Sequence, residues 1–301
     1  MLYLLFVRAL RATPLLTAFL IVFSPPAFAA LNINKAGDLT ATDFDELGFD
    51  PTGLVGYWQL NGNAKDSSGY HNDGTIVGAT ATTDRFGVAN AALSFNGTLS
   101  NYVDCGNGGS LNITAAISVV AWVNSNLNGY GRIVSKHGGG SNGWLLAQYQ
   151  DMLECEISTN GTNWNGGVSS AGVFPLNQWI HVVATYDGSY IRVYINGVQK
   201  IGGNFPYALA GSINVAPGHT RIGRDNFGFN PWSGSIDEVK IFGRVLSNAE
   251  ILAMYNHEKG KFSVWKDGTD RAVSFVEDPT LPVQMRSKKQ SLTVKGHLIQ
   301  Q

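Results

Sequence analysis

From Leu54 onward the chain alternates short apolar runs with clusters of Gly, Asn, Asp and Ser. The runs are LVGYWQL, GTIVGA, ALSF, YVDCG, AISVVAWVNS, RIVSKH, GWLLAQY, MLECEIS, WIHVVATYD, YIRVYING, HTRIGR and SIDEVKIFGR. A dozen strand-length runs with turn residues between them predict an all-β fold, two antiparallel sheets in a sandwich or jelly roll. Trp179 to Tyr186 is almost continuously apolar, as a central strand covered on both faces would be. Ile191, Val193 and Ile195 then alternate with Arg192 and Tyr194, and Asn196-Gly197 leads into VQKI. Asn-Gly supplies two positive φ angles in a type I′ turn, so 189–202 is expected to be a hairpin. One short C-terminal helix is predicted. Ser247-Asn248-Ala249-Glu250 is a capping box, Ile251, Leu252 and Tyr255 follow at helical spacing, and Gly260 is a stop.

The flanks read differently. Residues 1–30 carry Arg8 and Arg11, then the apolar Leu15 to Phe23, then Ala27-Phe28-Ala29, which is the order of a secretory signal with an A-x-A cleavage site; an uncleaved anchor starting near Leu2 is the alternative. Residues 31–52 are a polar lead-in, 53–258 the β domain, and 259–301 a more basic tail with a short β segment. In that tail FSVWKDG and RAVSFVED suggest a hairpin and SLTVKGHLIQQ a last strand. Export places the protein outside the cell or on its surface, and no later stretch is long and apolar enough to span a bilayer.

Composition fits this picture and narrows the partners. There are 36 Gly, 15 Phe, 11 Tyr and 7 Trp, with charged residues at only 14%, as in a turn-rich β protein. Net charge is -1 at pH 7 and no basic stripe is present, which argues against a nucleic-acid partner. Cys105 and Cys155 both lie in strand-like runs. Export permits a disulfide between them, and two small core residues that never meet are the alternative.

The blocks LVGYWQLNGNAKDSSGYHNDGTIVGA, TDRFGVANAALSFNG, YVDCGNGGSLNI, ISVVAWVNS, IVSKHG, NQWIHVVATYDGSYIRVYINGVQ and WSGSIDEVKIFGRVLSNAEILAMY occur in one order. That order, over about residues 53–257, resembles the laminin G-like, concanavalin A-like jelly rolls of secreted bacterial proteins. The resemblance implies two curved antiparallel sheets, extracellular glycan or protein binding far more than catalysis, and a structural calcium. The calcium positions carried over are Asp66 and Asn72, in the turn after the first strand, and Asp237, in the late SIDEV strand. The first and last strands of such a fold lie side by side, so an ion there would tie the ends together. The alternative is that Asp66 only makes an Asx-turn and Asp237 only a backbone bond.

For catalysis the chain offers Glu154 and Glu156, which alternation puts on one strand face, without a third carboxylate in step. No G-x-S-x-G, H-E-x-x-H, G-x-G-x-x-G or phosphate-loop pattern is present. His181 sits inside an apolar strand and reads as a core histidine, and Trp58, Trp122 and Trp179 read as core. Sugar binding needs an exposed aromatic face flanked by polar groups. Two loops qualify, one around Trp164 and Asn165, the other from Arg224 to Trp232 with Phe229, although the resemblance implies a core or strand-start aromatic at Trp232; Tyr130 is a third candidate. The residues therefore point to a non-catalytic, exported module for a polysaccharide or cell-surface glycan. A surface adhesin for an extracellular protein is the second reading and a glycan-active enzyme the third.

Overall fold

The structure, a computed structural model, describes residues 49–138 and 142–259, together with the backbone of six strands nearer the termini. The chain divides into two units, Pro51–Leu252 on the one hand and Met1–Asp50 with Ala253–Gln301 on the other. In the second unit β1 (Tyr3–Arg8) pairs antiparallel with β2 (Thr17–Val22). There, too, β19 (Phe262–Lys266), β20 (Arg271–Phe275), β21 (Gln290–Thr293) and β22 (His297–Gln300) form a four-stranded antiparallel sheet, whose β19–β20 pair is the hairpin expected in the tail. Ala27-Phe28-Ala29, most of the lead-in and Gly260 lie outside the described residues.

The first unit is the predicted sandwich. Its larger sheet contains β3 (Leu54–Trp58), β5 (Thr80–Thr82), β6 (Ala92–Asn96), β8 (Ile117–Ser125), β13 (Ile180–Tyr186), β14 (Tyr190–Ile195), β15 (Val198–Lys200), β16 (Tyr207–Ala208) and β18 (Ser233–Phe242). The smaller runs in the order β12 (Asn165–Val168), β11 (Met152–Ile157), β10 (Trp144–Tyr149), β9 (Tyr130–Lys136), β17 (Thr220–Ile222), β7 (Tyr102–Asp104) and β4 (Thr75–Val77). Every residue of β13 is buried, which is what its almost continuous apolar run requires of a central strand. The two inner faces supply one core, including Trp58, Phe95, Val134, Leu146, Val182 and Ile236. Asn196 and Gly197 have φ of 53° and 77° and Ile195 faces Val198, so the type I′ hairpin is present.

β18 is the long strand around which the larger sheet closes. Its first half pairs with β6 and its second half with β3, so the first and last strands of the unit do lie side by side. The register shifts between Asp237 and Lys240, where Glu238 has φ +53°. This bulge lets Asp237 and Glu238 both stay inside, the latter accepting from Tyr57 Oη at 2.5 Å and from Lys240 Nζ at 3.1 Å.

Helix α1 (Asn248–Glu258) starts with the predicted reciprocal cap. Glu250 N–H donates to Ser247 Oγ at 3.2 Å and Ser247 N–H to Glu250 Oε2 at 2.7 Å. Ile251 is buried, whereas Leu252, expected on the same face, is exposed.

The structure decides the open question of the cysteines, corrects Trp179 and adds two strands. The cysteines are free and buried. Cys155 lies on β11 and Cys105 just beyond β7, with β10, β9 and β17 between. Four strand spacings separate them by roughly 19 Å, far beyond the span of a disulfide. Trp179 precedes β13 and is only partly buried, while Trp58 and Trp122 are core as expected. Two strands, β5 and β12, carry no apolar alternation and were not legible as strands; β12 reads Asn-Gly-Gly-Val and survives as an edge paired with β11.

Candidate functional site

The first strand delivers the chain into a turn built on Asp66. Its Oδ1 accepts from Tyr57 N–H and Ser68 N–H, each at 2.9 Å. Its Oδ2 accepts from Ser68 Oγ at 2.8 Å and Asn72 N–H at 2.9 Å. The Asn72 side-chain amide donates to Val55 O and Ser110 Oγ, and the Asn72 backbone carbonyl accepts from Trp58 Nε1, buried beneath it. Asp237 is held elsewhere: Arg85 Nη1 lies 2.7 Å from its Oδ2, with both side chains almost fully buried. A carboxylate has about four lone-pair positions, and Asp66 has four protein donors on them. A dication beside Asp237 would have to share that carboxylate with a guanidinium. As arranged, Asp66, Asn72 and Asp237 do not fit a calcium shell, and among the described residues no group of three or more His, Cys, Asp or Glu is placed to hold a metal.

The residues that do converge lie on the smaller sheet. Lys136, Trp144, Ile157 and Asn165 form one row across β9, β10, β11 and β12. His137, just after β9, and Trp164, just before β12, therefore emerge at the same end of the sheet, with ring centroids 5.6 Å apart at 83°. Trp164 is presented by a turn in which Asn160 Oδ1 accepts from the N–H groups of Thr162 and Asn163, both at 2.9 Å.

The third wall is the loop from β17 to β18. Asp225, 1% exposed, organises it by accepting from Phe227 N–H at 2.9 Å and Phe229 N–H at 2.8 Å. Asn226 pins the loop to the sheet, its amide donating to the carbonyls of His137 and His219, each at 2.7 Å. Arg132 N–H donates to Asn230 O at 2.8 Å at the other end. With its backbone folded inward, the loop turns Phe227 and Phe229 out, at 51% and 64% exposure. The result is an open cleft of about 380 Å³ lined by Arg132, His137, Trp164, Asp225, Phe227, Phe229 and Asn230.

Beneath it, alternation sets Arg132, Glu154 and Glu156 opposite the core residues Ile133, Leu153 and Cys155. Arg132 Nη1 donates to Glu154 Oε2 at 3.0 Å and Tyr130 Oη donates to Glu154 Oε1. Burial pushes the Glu154 carboxyl up to about 7, against the opposing pull of Tyr130 and Arg132, and burial also raises Glu156. Burial works to raise Asp225 too, but His137 and the N–H groups of Phe229 and Phe227 outweigh it and hold that carboxyl below its ordinary value.

Of the four expected ligand residues, Trp164 and Phe229 line the cleft and Asn165 starts the neighbouring edge strand. Trp232 does not belong: it is 0% exposed and packs edge-on against Phe174 in the core. Tyr130 is tied to Glu154 and meets Tyr149 edge-to-face. Arg132 and His137 were missed, because RIVSKH reads as one strand among many. His181 is buried against Trp122, as expected of a core histidine.

Solved structures share this fold at low identity. The binding domain of Paraclostridial Mosquitocidal Protein 1 matches with a TM-score of 0.57 at 14% identity, over 80% of this chain and 70% of that one. The ligand binding domain of botulinum neurotoxin serotype D, solved with N-acetylneuraminic acid, gives 0.54 at 14%, over 80% and 65%. Domain 4 of AbnA, an extracellular arabinanase from Geobacillus stearothermophilus solved with arabinotriose, gives 0.50 at 22%, over 67% and 98%. No curated protein matches the chain. Residues 95–252, just over half of the sequence, match the concanavalin A-like lectin/glucanases superfamily, and the chain belongs to that family.

Proposed function

We propose that the protein is an exported, non-catalytic carbohydrate-binding module whose site is the cleft between Trp164 and the Asp225–Asn230 loop. The observation that carries this reading is the meeting of Trp164, Phe227 and Phe229 with Arg132, His137 and Asn230 around one open cleft. Aromatic faces take the apolar face of a pyranose, and the polar groups between them fix its hydroxyls. The loop is braced before any ligand arrives, through Asp225 and Asn226, so little ordering cost remains at binding. Two of the similar solved domains were determined with sugars bound, which supports the same class of ligand here.

A non-catalytic role is favoured by the state of the acids. Glycosidases set two carboxyls against the substrate. Glu154 is 5% exposed and already engaged by Arg132 and Tyr130, and its partner Glu156 lies on the same sheet face rather than across a cleft from it. The second reading, adhesion to an extracellular protein, is favoured by Val198 and Ile201, 56% and 77% exposed at the β14–β15 hairpin.

A glycan array with the full chain tests the proposal. Binding that is lost in Trp164→Ala supports it, with a loss of about tenfold or more, or ~1.4 kcal/mol. An array with no binding, or binding that Trp164→Ala leaves intact, refutes this site. Release of reducing sugar from a bound polysaccharide would refute the non-catalytic role.

A further inference from the structure

We infer that the cleft selects a pyranose bearing a carboxylate, an acidic glycan, with Arg132 and His137 as the groups that receive it. The inference rests on the glycan-binding reading above and names the ligand's charge.

Arg132 and His137 bring nitrogens unpartnered among the described residues to the cleft lining, beside the side-chain amide of Asn230. Arg132 is 8% exposed yet lines the cleft; Nη1 is committed to Glu154, and Nε has no partner among the described residues. His137 is 7% exposed, its Nε2 stands 3.4 Å from Asp225 Oδ2, and its Nδ1 has no partner among the described residues. Asp225, the one carboxylate in the lining, is turned inward, with Oδ1 taken by two backbone N–H groups. A sugar hydroxyl would satisfy one open donor. A carboxylate offers two acceptor oxygens and the matching charge, which suits a guanidinium edge beside an imidazole.

The surrounding charges make the site conditional on pH. Glu154 is the counter-ion of Arg132, and burial raises its carboxyl to about 7. The groups facing it are Tyr130 and Arg132 from β9 and Glu156 from its own strand, with His137 and Asp225 along the cleft. When Glu154 takes up a proton it still accepts from Tyr130 or Arg132 but no longer neutralises the guanidinium. An anion arriving at Arg132 therefore favours the protonated form of Glu154. By linkage its affinity rises as pH falls through neutrality.

The test is an array of matched glycans, each acidic oligosaccharide printed beside its carboxyl-reduced form, probed at about pH 6 and about pH 8. The inference predicts that carboxyl reduction weakens binding at least tenfold, and that acidic glycans bind several-fold more tightly at the lower pH. Glu154→Gln should abolish the pH dependence. Arg132→Gln should erase the preference for the acid, while Arg132→Lys, which keeps the charge without the fork, should retain part of it; melting curves confirm that each variant is folded. Equal binding of acid and reduced forms, dependent on Trp164, overturns this inference and leaves the glycan-binding reading standing. A preference that survives Arg132→Gln also overturns it. No binding to any glycan overturns both.

Discussion

Arg85 Nη1 lies 2.7 Å from Asp237 Oδ2, with side-chain exposures of 3% and 1%. The guanidinium also stacks on Trp122, 4.5 Å from the ring centroid. Asp237 sits at the bulge of β18, next to the segment that pairs with β3, so this ion pair fastens the sheet where the ends of the domain meet. Removing one partner of a buried pair strands the other charge and costs about 3–5 kcal/mol. Arg85→Met is therefore expected to lower the stability in denaturant titration by about that much. A loss below about 1 kcal/mol would show that the pair is not the fastening.

The same geometry bears on calcium. With four donors on Asp66 and a guanidinium on Asp237, the folded domain is expected to melt at the same temperature in millimolar calcium and in excess chelator. A fall of several degrees on chelation would correspond to about 1–3 kcal/mol of binding linkage and would contradict this account.

Glu154 predicts a pH dependence of stability with a definite sign. Its folded value, about 7, lies above its ordinary value of 4.5, so the folded state holds the proton more tightly than the unfolded one. The penalty of ionising it is absent below the unfolded value, grows as pH rises between the two, and is complete above 7. Stability should fall across that window, and Glu154→Gln should flatten the profile there. Asp104, Asp187, Asp225 and Glu250 have the opposite sign: their values are lowered, so their contribution is present above the ordinary carboxyl range and lost as pH falls below it. Melting temperature against pH should therefore drop at the acid end in both proteins and differ between them near neutrality. Parallel profiles for Glu154→Gln and the parent would contradict the assignment.

Two tryptophans that look alike in sequence separate in the structure. Trp232 is fully buried and its truncation to Ala is expected to cost about 3–5 kcal/mol. Trp164 lies half-buried against His137, and Trp164→Ala should change stability by no more than about 1 kcal/mol while weakening glycan binding. Thermal melts of the two variants side by side check this contrast, and equal losses would contradict it.

The contrast also shows where sequence reasoning succeeds. Strand identity, the Asn196-Gly197 hairpin and the Ser247–Glu250 cap were legible because each rests on local chemistry, namely alternation, positive φ and a reciprocal hydrogen bond. Trp164 was expected near the surface because its neighbours are polar and Gly-rich, and it does line the cleft. Trp232 was open to two readings, a loop aromatic and the core or strand-start residue that the resemblance implies, and the structure shows the second, fully buried just before β18. Arg132 and His137 gave no signal: their meeting with Trp164 depends on the row through Lys136, Trp144, Ile157 and Asn165 and on a loop some 90 residues further along. Cys105 and Cys155 were open to pairing for the same reason, since only the strand order reveals the three strands between them.

The most direct test of the central claim is hydrogen exchange of the full chain with and without a glycan identified by the array. The account predicts that bound glycan slows exchange in two separate segments, the Trp164 turn with the start of β12, and the Asp225–Asn230 loop, while the Asp66 turn and the β14–β15 hairpin are unchanged. Protection centred on the Asp66 turn or on the hairpin around Val198, with residues 224–230 unaffected, would contradict it.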